Sequence, residues 1–72
     1  MDEYLRILIE EYCMNHDTAK SRRLKKLVEM SYVLSTGGTD SDGWFLENLI
    51  MKEKDPAFKK ALEDLDECLF GW

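Results

Sequence analysis

Apolar positions recur along this chain with helical spacing almost from its start, in four blocks separated by polar punctuation. Between Tyr4 and Met14, eight of eleven residues are apolar or cysteine. At about 100° per residue they sweep most of a helical circumference. Leu5, Leu8, Ile9 and Tyr12 share one face of the segment 3–15, Ile7 and Met14 lie well away from it, and Glu3, Arg6 and Glu10 mark the polar arc. A helix apolar nearly all round is buried nearly all round, so this segment is expected to be the central helix of the domain or half of an interface.

Asn15-His16-Asp17-Thr18 interrupts the pattern, and Asp17 or Thr18 suits the N-cap of the helix that follows. That helix is predicted over about 18–35. Leu24, Leu27, Val28, Ser31 and Leu34 form its stripe, with Met30 and Tyr32 at the flanks and Val33 outside, beside Arg22 and Lys26. Thr36-Gly37-Gly38 ends it, Gly37 being the residue best able to take a left-handed cap. Thr39-Asp40-Ser41-Asp42-Gly43 reads as a polar loop whose side chains cap a third helix, about 43–54. Phe45, Leu46, Leu49 and Ile50 make its core face. Trp44 and Met51, seven residues apart, share the opposite side with Asn48 between them. Asp55-Pro56 is the sharpest boundary, an N-cap followed by a proline in the first helical position. The last helix, about 56–69, has a clean stripe of Phe58, Ala61, Leu62, Leu65, Cys68 and Leu69, and Phe70, Gly71 and Trp72 follow as an apolar tail.

Short connections make consecutive helices near neighbours, which predicts an all-α domain: a compact bundle of four short helices around the first. Irregular, orthogonal packing is favoured over parallel axes, because the third helix is too short to match the second. With 72 residues the chain makes one thin-cored domain, burying about 60% of the surface its unfolded form exposes. Its 44% apolar and 35% charged residues, of both signs, exclude wholesale disorder.

A net charge of −5 disfavours non-specific attraction to nucleic acid or anionic lipid as the main activity. Met1-Asp2-Glu3 runs straight into helical patterning with no basic or apolar leader, and no stretch approaches a membrane span, so a cytoplasmic location without membrane contact is expected. In that compartment Cys13 and Cys68 are read as buried apolar fillers, not as a bridge.

Candidate chemistry is sparse. His16 is the one histidine and lies in a connector, where such a ring donates to the carbonyls ending the preceding helix or faces water. No nucleophile can be paired with it, and no phosphate-cradling or dinucleotide motif occurs, so no enzyme is expected. Cys13, His16 and Cys68 would supply three zinc ligands where a structural site needs four. Asp40-Ser41-Asp42-Gly43 fails as a calcium loop, since aligning Gly43 at its sixth position puts Gly38 first and Leu49 last. Neither metal nor cofactor is expected.

Two charge clusters oppose their helix dipoles. Lys20, Arg22, Arg23, Lys25 and Lys26 crowd the start of the second helix, and Glu63, Asp64, Asp66 and Glu67 the last half of the fourth. The favoured explanation is that the two clusters lie against each other. The other is that each is kept for a partner.

Apolar residues left off the stripes are more informative. Trp44, Met51, Phe70 and Trp72 have no assigned place in the core, nor do Ile7, Met14 and Val33. Clustered tryptophan, phenylalanine and methionine are what interface centres are enriched in. The expected function is therefore a protein-binding module, a small regulator, inhibitor or adaptor, with Trp44, Met51, Asn48, Phe70, Trp72 and Glu47 as its site and acidic neighbours setting selectivity. The alternative is a nucleic-acid-binding regulator using Arg22, Arg23, Lys25 and Lys26, although no aromatic residue interleaves that run. A self-associating homodimer is the second alternative.

Overall fold

A computed structural model describes residues 2–33 and 39–71, and all four predicted segments are helical in it: α1 (Glu3–Asn15), α2 (Ala19–Val33), α3 (Asp40–Lys52) and α4 (Pro56–Phe70). No strand occurs among the described residues, so the domain is all-α. Leu34, the Thr36-Gly37-Gly38 stop signal and Trp72 lie outside the described residues, as do the side chains of Tyr32 and Val33.

Local chemistry sets the helix starts. The Asp2 carboxylate accepts the Tyr4 N–H at 2.8 Å to cap α1. Before α2, Thr18 is the cap: its Oγ1 accepts the Ser21 N–H at 3.1 Å, while Asp17 takes the Arg22 guanidinium at 2.8 Å. Asp55 caps α4 as expected, accepting the Ala57 N–H at 3.0 Å with Pro56 behind it.

Helix α3 departs from expectation. It begins at Asp40, so Asp40-Ser41-Asp42-Gly43 is its first turn and not a loop. Thr39 and Asp42 form a reciprocal capping box, the Thr39 hydroxyl accepting the Asp42 N–H at 3.2 Å and the Asp42 carboxylate accepting the Thr39 N–H at 3.2 Å. Two satisfied donors and two acids at the positive helix end outweigh the penalty of about 1 kcal/mol for Gly43 inside the helix. At the other end, the Glu53 carboxylate accepts the N–H groups of Lys54 and Asp55 at 3.0 and 3.1 Å and turns the chain into α4.

The centre of the bundle is α4, not the first helix. Phe58, Ala61, Leu62, Leu65 and Leu69 are buried, and α4 packs against α1, α2 and α3. From α1 only Leu5 and Ile9 are buried, while Tyr4, Ile7, Tyr12 and Met14 are exposed, Met14 at 81%. A circumference that is apolar all round needs neighbours all round, and among the described residues α1 packs chiefly on α2 and α4. Leu24, Leu27, Val28 and Ser21 complete the buried face of α2. The serine is tolerated there because its hydroxyl accepts from Thr18 Oγ1 at 3.0 Å. Cys68, expected within the α4 stripe, is only half-buried at its margin, and Phe70, expected in a tail, is the last residue of α4 and packs half-buried against the core. No helix among the described residues is long and apolar enough to cross a membrane.

Candidate interaction surface on α3

Helix α3 is fixed to the core by one fully buried side chain, Leu46, with Phe45, Leu49 and Ile50 half-buried beside it. Helical spacing then obliges Trp44 and Met51 to point away from that face. They are 67% and 75% exposed. Asn48, between them, bends back to its own helix, its Nδ2 donating to the Trp44 carbonyl at 3.0 Å.

A groove runs along each side of this ridge. On the α4 side, an open groove of about 470 Å³ is lined by Asp40, Gly43, Trp44, Glu47, Ile50 and Met51 of α3 with Asp66 and Phe70 of α4. Its apolar walls are Trp44, Met51, Ile50 and Phe70, and its charged groups are three carboxylates. The missing side chain at Gly43 leaves room above the Phe70 ring, whose Cζ would stand 3.8 Å from a Cβ at that position. Burial pushes the Asp66 carboxyl above the usual carboxylate range, and the negative charge of Glu47 pushes it the same way.

On the α2 side, a groove of about 450 Å³ has the opposite character: Lys20 and Arg23 of α2 face Ser41, Trp44, Phe45, Asn48, Leu49 and Lys52 of α3. Arg23 is held in place there. Its Nη2 donates to Asp42 Oδ1 at 3.0 Å and Ser41 Oγ at 2.9 Å, and its guanidinium lies 4.5 Å from the Phe45 ring centroid. Burial works to raise the Asp42 carboxyl, but the Thr39 N–H and hydroxyl and the Arg23 guanidinium together hold it below the ordinary range.

The two charge clusters therefore do not meet as expected. Among the described residues no ion pair joins the basic start of α2 to the acidic end of α4. Arg22 pairs with Asp17 and Arg23 with Asp42, while Asp66 faces another acid, Glu47. Trp44 stands between, lining both grooves. Of the basic residues marked from sequence, Arg22, Lys25 and Lys26 are exposed on α2 and Arg23 is half-buried. Arg23 is the one of them that lines the groove beside α3.

Of the residues marked from sequence, Trp44, Met51, Glu47 and Phe70 come together in one groove, Asn48 lines the other, and Trp72 lies outside the described residues. Sequence reasoning missed Asp40, Gly43 and Ile50 on the acidic flank and Lys52 on the basic one, and marked Asp66 and Lys20 only as members of the two charge clusters. Part of this was readable: Asp40, Gly43, Glu47 and Met51 follow helical spacing once the helix is begun at Asp40.

His16 closes the end of α1, its Nδ1–H donating to the Tyr12 carbonyl at 3.0 Å and its ring stacked on Tyr12 with centroids 4.1 Å apart. Tyr12 in turn leans on Phe58, 4.6 Å away. Among the described residues no group of three or more His, Cys, Asp or Glu side chains is placed to hold a metal ion. Cys13 and Cys68 are free thiols, and burial pushes the Cys13 thiol up, with Lys25 opposing and Glu10 assisting. Comparison with protein-family models, with curated proteins and with solved structures finds no match for this chain.

Proposed function

We propose that this chain is a non-enzymatic protein-binding module, a small intracellular regulator, inhibitor or adaptor, working through the α3 ridge and its acidic flank. One observation carries the reading: two large apolar side chains, Trp44 and Met51, stand exposed at the mouth of one groove above Phe70. Such side chains are anchors at interfaces, and truncating a buried anchor there weakens binding by about 2 kcal/mol or more. Capture of the native partner, followed by intact-mass measurement of the complex, gives the assay. The Trp44→Ala and Met51→Ala variants are expected to keep the helical circular-dichroism signal and lose the complex. A complex that both variants hold at wild-type affinity would remove the reading.

A second reading rests on the other groove, where Lys20, Arg23 and Lys52 surround the aromatic rings of Trp44 and Phe45. Cations beside an exposed ring, here that of Trp44, are what a single-stranded nucleic acid uses. Oligonucleotide affinity that falls steeply with salt and with Lys20→Gln and Lys52→Gln is its expected result, and affinity indifferent to those changes refutes it.

A further inference from the structure

We propose that the groove between α3 and α4 receives one side of a basic amphipathic helix from the partner, with a lysine or arginine against Glu47 and Asp66 and a large apolar side chain between Trp44, Met51 and Phe70. This rests on the protein-binding reading and names its occupant. The groove follows α3 from Asp40 to Met51, and at about 1.5 Å per residue that is roughly 16 Å, or three helical turns of a partner. Apolar walls on both sides suit one face of an amphipathic helix, which needs a hydrophobic slot with polar edges.

Charge selects the sign. The described lining holds three carboxylates and no lysine or arginine. Asp66 is half-buried against a like charge, so a cation seated there removes a repulsion and gains a partly desolvated, charge-assisted hydrogen bond. The opposite flank adds a restriction, because Lys20, Arg23 and Lys52 repel a helix that is basic all round. The occupant must carry its cations on the side toward α4.

Neither α2 nor α1 of a second copy supplies such a helix. In α2 the apolar stripe that accompanies the cations, Leu24, Leu27 and Val28, is buried in the core. In α1 the exposed Tyr4, Ile7 and Met14 stand among Glu3, Glu10 and Glu11, which the acidic rim repels.

The test is a titration of the isotope-labelled chain, followed by amide chemical shifts, with a synthetic amphipathic helix of leucine, tryptophan and lysine and with its copy carrying glutamate for lysine. The lysine peptide is expected to move Gly43, Trp44, Glu47, Met51, Asp66 and Phe70. Its affinity should fall at least about tenfold in Glu47→Gln/Asp66→Asn and less than about twofold in Glu10→Gln/Glu11→Gln, with all variants confirmed to be folded by a cooperative thermal transition. Equal losses in the two double variants would mean non-specific attraction and overturn the proposal. Binding of the glutamate peptide at the same residues would overturn the basic occupant while leaving protein binding by α3 standing. Concentration-dependent shifts at these residues without peptide would make the occupant a second copy, and the proposal would fall. If neither peptide moves α3, the proposal falls, and the alanine variants of Trp44 and Met51 decide separately whether protein binding by the ridge survives.

Discussion

Helices α3 and α4 adjoin in sequence and are both rich in apolar side chains, yet α4 buries five residues and α3 only Leu46. The difference is one of neighbours. The narrow stripe of α4 meets three other helices, so each apolar side chain on it finds a covering surface. α3 packs chiefly on α4, and its apolar residues spread over more of the circumference than one contact covers. Apolar content thus measures how much surface wants cover, and only packing says which surface goes without. What goes without cover on α3 is Trp44 and Met51.

The comparison is sharpest where α4 is cut. Leu62→Ala, fully buried at the centre of the bundle, is expected to lower stability by about 2–5 kcal/mol, read as an earlier midpoint in urea. In a domain this small such a loss approaches the whole folding free energy. Thr39→Ala removes the reciprocal cap of α3 and should cost about 1 kcal/mol. Asp42, on the other half of that cap, has a depressed carboxyl pKa. Its contribution is present above the unfolded value and lost as pH falls through the folded one, so Asp42→Asn should flatten the acid limb of the stability curve.

Gly43→Ala should raise stability by about 0.5–1 kcal/mol, since alanine favours the helix and its methyl would meet Phe70 at ordinary contact distance. Trp44→Ala and Met51→Ala, the exposed counterparts of Leu62, should change stability by less than about 0.5 kcal/mol in the same urea experiment. A large loss from either would show that the ridge is held down by the fold, and the contrast with α4 would break.

The smallest effect has the opposite sign to that of Asp42. Burial and Glu47 raise the Asp66 carboxyl, so its ionised form works against folding above the folded pKa and the penalty fades as pH falls through that value. Asp66→Asn is therefore expected to stabilise the free domain at neutral pH by a few tenths of a kcal/mol, allowing for solvent screening, with the gain vanishing in acid. Thermal melts at neutral and acidic pH check both the sign and the window.

Much of the bundle was legible because it is local. Asp55-Pro56 and Thr18 cap helices through bonds to residues two or three positions away, and the stripe of α4 is a matter of spacing alone. The start of α3 lies earlier than expected for a local reason as well: the polar run Asp40-Ser41-Asp42 reads as a loop until Thr39 and Asp42 are seen to close a cap. The exposure of Trp44 and Met51 was readable because Leu46 and its neighbours claim the other face. The two grooves were not, because each needs a second helix. Nothing in the order of residues says that Asp66 and Phe70 come to one side of Trp44 and Lys20 and Arg23 to the other.

Spacing and caps determined four helices, most of their ends, and which residues of α3 and α4 cannot share a face, because those properties depend on neighbours within a turn or two of chain. The tertiary structure decided that α4 and not α1 is central, that Arg23 pairs with Asp42 and not with the acids of α4, and that Asp66 is left facing Glu47. Those outcomes depend on which helices end up side by side, and a helix turns the same face outward whatever later packs against it.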